Sequence, residues 1–145
     1  LIKSFLHVGV GVFDLDRSVE FYTEVLGMEI VYRAHNVGEK ISRVVGVEDA
    51  ELVVCVVQRD NIKLELIDYK NKAKKRRARY KEQDEPGLLH IAFAVTEIEN
   101  EYERIKAFGY EFNSPPMVAR ENGPKICYFK GPDKVIIELF EERRQ

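Results

Sequence analysis

The chain states one pattern twice. The stretch "FLHVGVGVFDLDRSVEFYTEVLG" begins at Phe5, and "LLHIAFAVTEIENEYERIKAFG" begins at Leu88. His7 and His90 stand 83 residues apart, and the same spacing joins Val12 to Val95, Asp16 to Glu99 and Val19 to Tyr102. One residue is then lost, so Gly27 matches Gly109 and Ile30 matches Phe112 at a spacing of 82. Further on, "IKLELID" matches "VIIELFE", which aligns Glu65 with Glu138 at a spacing of 73. So many matches in one order mark an internal repeat, and a repeat confines the chain to two like modules.

Each copy reads as strand, helix, strand, strand, strand. "FLHVGVGV" and "LLHIAFAV" are short apolar runs bounded by polar residues, as strands are. Asp14 or Asp16 is placed to cap the first helix, and Thr96 the second. Val19, Tyr22 and Leu26 recur at helical spacing, as do Tyr102, Ile105 and Phe108. Gly27 and Gly109 follow as left-handed stops. Strands are then expected at "MEIVYRA", "AELVVCVVQR" and "IKLELIDY", and at "YEFN", "PKICYFK" and "KVIIELFE". The expected class is α+β: a first βαβββ module over 1–69, a charged connection over 70–86, and a second βαβββ module over 87–145.

Composition narrows the partners. With 45% hydrophobic and 33% charged residues over 145 positions, the chain can fill a core and keep a polar surface. A formal net charge of −2 gives no general pull toward nucleic acid or membrane. No apolar run is long enough to span a bilayer. The first residues enter a strand pattern directly, so no secretory leader is expected, and Leu1 in place of methionine is expected to reflect trimming. Cys55 and Cys127 both sit in apolar strands, as buried free thiols would, which fits a reducing cytoplasm.

The histidines mark the chemistry. Alternation along a strand puts Phe5, Gly9 and Gly11 beside His7, and Leu88, Ala92 and Ala94 beside His90. The opposite faces carry Val8, Val10 and Val12, or Ile91, Phe93 and Val95, which suit packing on the helices. Small residues just past each histidine leave room for a ligand. Glu65 and Glu138 each stand between apolar neighbours, and a carboxylate buried on both faces of a strand is costly unless it is paired or bound to a metal. Two imidazoles and two carboxylates at equivalent points of a repeat form a plausible donor set for a divalent cation.

With these segments and "GPDKVIIELFE", nearly the whole chain resembles the vicinal oxygen chelate superfamily, which includes glyoxalase I, methylmalonyl-CoA epimerase, extradiol dioxygenases, and fosfomycin and bleomycin resistance proteins. The resemblance implies two modules forming a curved mixed sheet around one metal site, with His7 and Glu65 from the first module and His90 and Glu138 from the second. It implies one divalent ion (Zn, Ni, Co, Mn or Fe) and pairing of the modules inside one chain or across a homodimer, the latter being favoured. Glu65 would leave two adjacent positions open on an octahedral ion. That suits the glyoxalase–epimerase branch better than a dioxygenase, which must also seat dioxygen.

The implied reaction is removal of a proton beside a chelated carbonyl, with the metal as Lewis acid and Glu138 or Glu65 as the base. Return of the proton gives isomerisation or epimerisation, so the chain is expected to be an isomerase or lyase. An anionic thioester or hemithioacetal is the expected substrate, with Arg120 or Lys125 in "ARENGPKICYF" available to hold it. The "KNKAKKRRARYK" run carries eight basic residues from Lys70 to Lys81 and reads as a solvated connection; a clamp for coenzyme A phosphates and a nucleic-acid patch are the alternatives. His35 reads as a loop residue. A ring-cleaving iron dioxygenase and a small-molecule-binding resistance protein are the competing functions, the latter disfavoured by a full ligand set.

Overall fold

The computed structural model describes residues 3–70, 84, 87, 88 and 90–143. The chain divides into two compact units, Leu1–Arg77 and Ala78–Gln145. Each contains one four-stranded mixed sheet.

In the first unit, strand β1 (Val8–Gly11) leads to helix α1 (Leu15–Glu20), which continues as a wider π-helical turn over Phe21–Val25. The Asp14 carboxylate accepts from the Arg17 backbone N–H at 3.1 Å and so caps the helix. Leu15, Val19, Phe21, Tyr22 and Val25 are buried, and α1 contacts β3 (Glu51–Arg59) and β4 (Ile62–Tyr69). Gly27 ends the segment with a φ of 65°. Arg59 supplies the cap, its guanidinium donating to the carbonyls of Leu26 at 3.1 Å and Gly27 at 2.9 Å. The backbone angle favours glycine, and a side chain at Gly27 would meet the guanidinium at 2.6 Å and push it off its cap.

Strand β2 (Glu29–Val37) completes the sheet in the order β1-β4-β3-β2, with β1 parallel to β4 and the other pairs antiparallel. It runs past the expected "MEIVYRA" and takes in His35, which is therefore a strand residue and not a loop residue; its Nε2 lies 3.0 Å from Glu51. A second, unexpected helix follows, α2 (Glu39–Val45). Its Ile41 and Val45, with Val47, pack on Ala50, Leu52, Val54 and Val56.

In the second unit the sheet order is β5-β8-β7-β6, again with one parallel pair. Its elements are β5 (Ile91–Ala94), α3 (Ile98–Ala107), β6 (Met117–Val118), β7 (Lys125–Lys130) and β8 (Ile136–Glu141). Two expectations fail here. "YEFN" makes only a single bridge, Phe112 to Phe129, and the strand in its place is the short β6 beyond Pro115 and Pro116. The aromatic rings explain the attraction of that stretch: Phe112 packs at 4.6 Å from Tyr102 and 4.8 Å from Phe129. The second miss is Thr96, which does not cap α3. The residue before the helix is Glu97 at a φ of 57°, and the Ile98 N–H is instead taken by the Glu141 carboxylate at 3.3 Å.

The two sheets repeat down to register. Gly9 faces Glu65 in the first and Ala92 faces Glu138 in the second. The Val12 N–H donates to Ile67 and the Val95 N–H to Phe140, both at 2.9 Å. Apart from Lys70, the basic run to Lys81 lies outside the described residues. The Lys70 ammonium lies 2.6 Å from the buried Asp68 carboxylate, which raises its pKa through that hydrogen bond. Among the described residues, no helix is long and apolar enough to cross a membrane.

Candidate metal site

The parallel pairing of the first and last strand of each unit brings a histidine beside a glutamate. His7 Nε2 lies 3.1 Å from Glu65 Oε2, and His90 Nε2 lies 3.0 Å from Glu138 Oε2. The histidines come just before β1 and β5, and the glutamates stand mid-strand in β4 and β8. The sheet face around His7 is open, as the small residues predict. A Cβ on Gly9 would touch only the tip of Ile67 at 3.6 Å, and one on Gly11 would meet nothing within 4 Å.

The two carboxylates differ in setting. Glu138 sits in a strand whose residues Ile136 to Leu139 are all buried. Glu65 does not match the doubly buried setting expected of it. Alternation in β4 buries Leu64, Leu66 and Asp68, while Lys63, Glu65, Ile67 and Tyr69 lie on the half-open face. The side chain of Glu65 is 21% exposed against 11% for Glu138.

One neighbour was missed in the sequence. Tyr128 stands opposite Glu138 in the β7–β8 ladder and donates its hydroxyl to Oε1 at 2.7 Å. Its ring meets His90 edge-on, with centroids 5.5 Å apart. Burial, then the hydrogen bond to Glu138 and its charge, push the Tyr128 phenol up to about 12. The signal was available: one aromatic in "KICYFK" falls in the same alternation as the glutamate's partner.

The two suggested anion contacts go elsewhere. Lys125 lies on the other side of β7 from Tyr128 by alternation, and its ammonium pairs with Glu99 of α3 at 2.5 Å. That contact raises the Lys125 pKa and lowers that of Glu99. Arg120 is exposed at a bend, where its carbonyl accepts from the Gly123 N–H at 2.9 Å. Neither is brought to the His90–Glu138 pair.

The pairs fit a divalent cation. Ligand atoms about 2.1 Å from an ion and about 90° apart stand about 3 Å from each other, which is the nitrogen-to-oxygen spacing in both units. Each unit offers two such donors, and among the described residues no group of three or more metal-ligating side chains gathers.

A doubled βαβββ fold with an imidazole and a carboxylate at matching points of each half defines a class of two-module α+β domains. Residues 4–139 match the Glyoxalase/Bleomycin resistance protein/Dioxygenase superfamily, and the chain belongs to it. It is 28% identical over 142 residues to a lactoylglutathione lyase of Arabidopsis thaliana, covering 96% of this chain and 44% of that protein. The chain thus spans about half the length of that relative. A probable lactoylglutathione lyase of Vibrio cholerae is 29% identical over 148 residues, covering 96% of this chain and 91% of that one. A glyoxalase family protein from Bacillus cereus shares the fold, with a TM-score of 0.87 at 24% identity over 99% of this chain and 97% of that one.

Proposed function

We propose that this chain is a divalent-metal-dependent isomerase or lyase that removes a proton from a carbon next to a carbonyl. The observation that carries this reading is the repeated His–Glu contact, 3.1 Å in one unit and 3.0 Å in the other, at equivalent points of two sheets. His7, Glu65, His90 and Glu138 would together hold one cation, through pairing of the modules within a chain or across a homodimer. The cation would supply Lewis acidity to the substrate carbonyl. The protein's own task is to hold the substrate so that a carboxylate, Glu138 or Glu65, takes the α-proton and returns it. The names of the two lactoylglutathione lyases support a thioester or hemithioacetal substrate.

Metal analysis of the purified chain tests the reading. About one divalent ion per four-ligand set is expected, with His7→Ala and His90→Ala each stripping the ion while the far-ultraviolet circular dichroism stays close to the parent's. The histidines lie on the open faces, so their loss leaves the packed faces intact. Full metal occupancy in both variants would sink the assignment. Oxygen consumption during turnover would point to a dioxygenase instead.

A further inference from the structure

We propose that the Tyr128 hydroxyl positions Glu138 and thereby makes His90–Glu138 the stronger half of the metal site. This rests on the four-ligand reading above. Both oxygens of Glu138 have a partner: Oε1 accepts from Tyr128 at 2.7 Å, and Oε2 faces His90 Nε2 at 3.0 Å. Tyr128 is placed by the ladder itself, as the register partner of Glu138, and its ring is braced against His90. The carboxylate is therefore held in one rotamer, with Oε2 presented on the histidine side.

Among the described residues, the first unit lacks this device. The residue opposite Glu65 in the β3–β4 ladder is Val56, which has no donor. Glu65 has His7 at 3.1 Å and a more exposed side chain. A ligand already fixed in its binding rotamer loses less freedom when an ion arrives, and a hydrogen bond to the second oxygen favours coordination through the first. The repeat thus supplies two chemically equal pairs, and Tyr128 makes them unequal. Tyr128 acts through Glu138 and is a positioning residue.

The test uses the full chain and Co(II). In competition with a chelating dye, Tyr128→Phe should weaken Co(II) binding about 10- to 100-fold, the usual cost of removing an outer partner of a ligand. Its visible absorption should shift with the changed coordination. Glu138→Gln should weaken binding more than Glu65→Gln. Carboxyl carbon NMR of the metal-free protein, labelled at glutamate, supplies a readout that needs no ion: Tyr128→Phe should move the Glu138 signal and leave the Glu65 signal in place. Parent-like Co(II) affinity and spectrum in Tyr128→Phe would overturn the proposal, as would an unmoved Glu138 carboxyl. If Tyr128→Phe does not fold, equal losses in the two glutamine variants overturn it. A parent chain that binds no Co(II) sinks the metal reading, and the carboxyl signal still decides whether Tyr128 holds Glu138.

Discussion

The two units hold the same pair of side chains in different grips. Around Glu65 the sheet is half-open, and the ladder offers Val56 across from it. Around Glu138 the strand is buried, and the ladder offers Tyr128. The first unit instead has α2, whose Ile41 and Val45 pack on the cluster of Leu52, Val54 and Val56, on the Glu65 face of the sheet. A repeat can therefore keep its ligands and its backbone register while its two halves specialise. One half fixes its carboxylate with a hydroxyl donor. The other leaves its carboxylate freer and walls the neighbouring surface with a helix.

The largest expected effect separates the two carboxylates. In deuterium oxide, an active substrate should gain deuterium at its α-carbon. Glu138→Gln should slow that exchange by about 10²- to 10⁴-fold, the usual contribution of a positioned base. Glu65→Gln should be milder, because an amide oxygen still coordinates. Deuterium incorporation followed by mass spectrometry reads both. A larger loss in Glu65→Gln would invert the comparison and make the freer carboxylate the base.

How much of this the sequence carried follows from the range of the forces involved. The strand–helix–strand pattern, the left-handed stops at Gly27 and Gly109, and the facing of His7 and His90 depend on local alternation and local backbone angles, so they were legible. The glycines do adopt φ values of 65° and 90°. What failed depended on tertiary partners. Helix α2 has seven residues between Gly38 and Gly46, too few for a helical period to declare itself. "YEFN" alternates like a strand because Tyr110 and Phe112 pack on Phe129, yet Pro115 and Pro116 follow at once, and proline cannot donate to a ladder. The cap on α3 comes from Glu141, more than forty residues away in sequence. The exposure of Glu65 depended on what covers each side of β4, which apolar neighbours alone do not reveal.

A smaller contrast concerns the thiols, which occupy matching places: Cys55 faces Leu66 and Cys127 faces Leu139. Burial raises both pKa values. For Cys127 the charges of Glu138 and Glu99 add to the rise, to about 11, whereas for Cys55 the Arg33 guanidinium opposes it. The thiolate is the reactive form, so raised values mean little reaction at neutral pH. At pH 8 a thiol of pKa about 11 is about 0.1% ionised, against roughly a quarter for an ordinary one of about 8.5. Native-state labelling by iodoacetamide should therefore be slow at both and slower at Cys127, where it should climb about tenfold per pH unit below pH 11. Peptide mass spectrometry after timed labelling checks the order; Cys127 labelling first would show that access, and not ionisation, governs.

The smallest effect lies at the helix starts, where the two units also part. Helix α1 is capped locally, by Asp14 on the Arg17 N–H, whereas α3 begins after Glu97 in a left-handed conformation and borrows Glu141 from β8. Replacing a local cap with alanine costs about 1 kcal/mol, so Asp14→Ala should lower the urea midpoint by a measurable step with an unchanged slope. Thr96→Ala should stay within about 0.5 kcal/mol, as surface changes without a special role do. Glu141→Ala should cost at least as much as Asp14→Ala, because it leaves the N–H of Ile98, a fully buried residue, without its carboxylate partner. If Thr96→Ala cost as much as Asp14→Ala, the threonine would be capping α3 in solution, and the two helices would start alike.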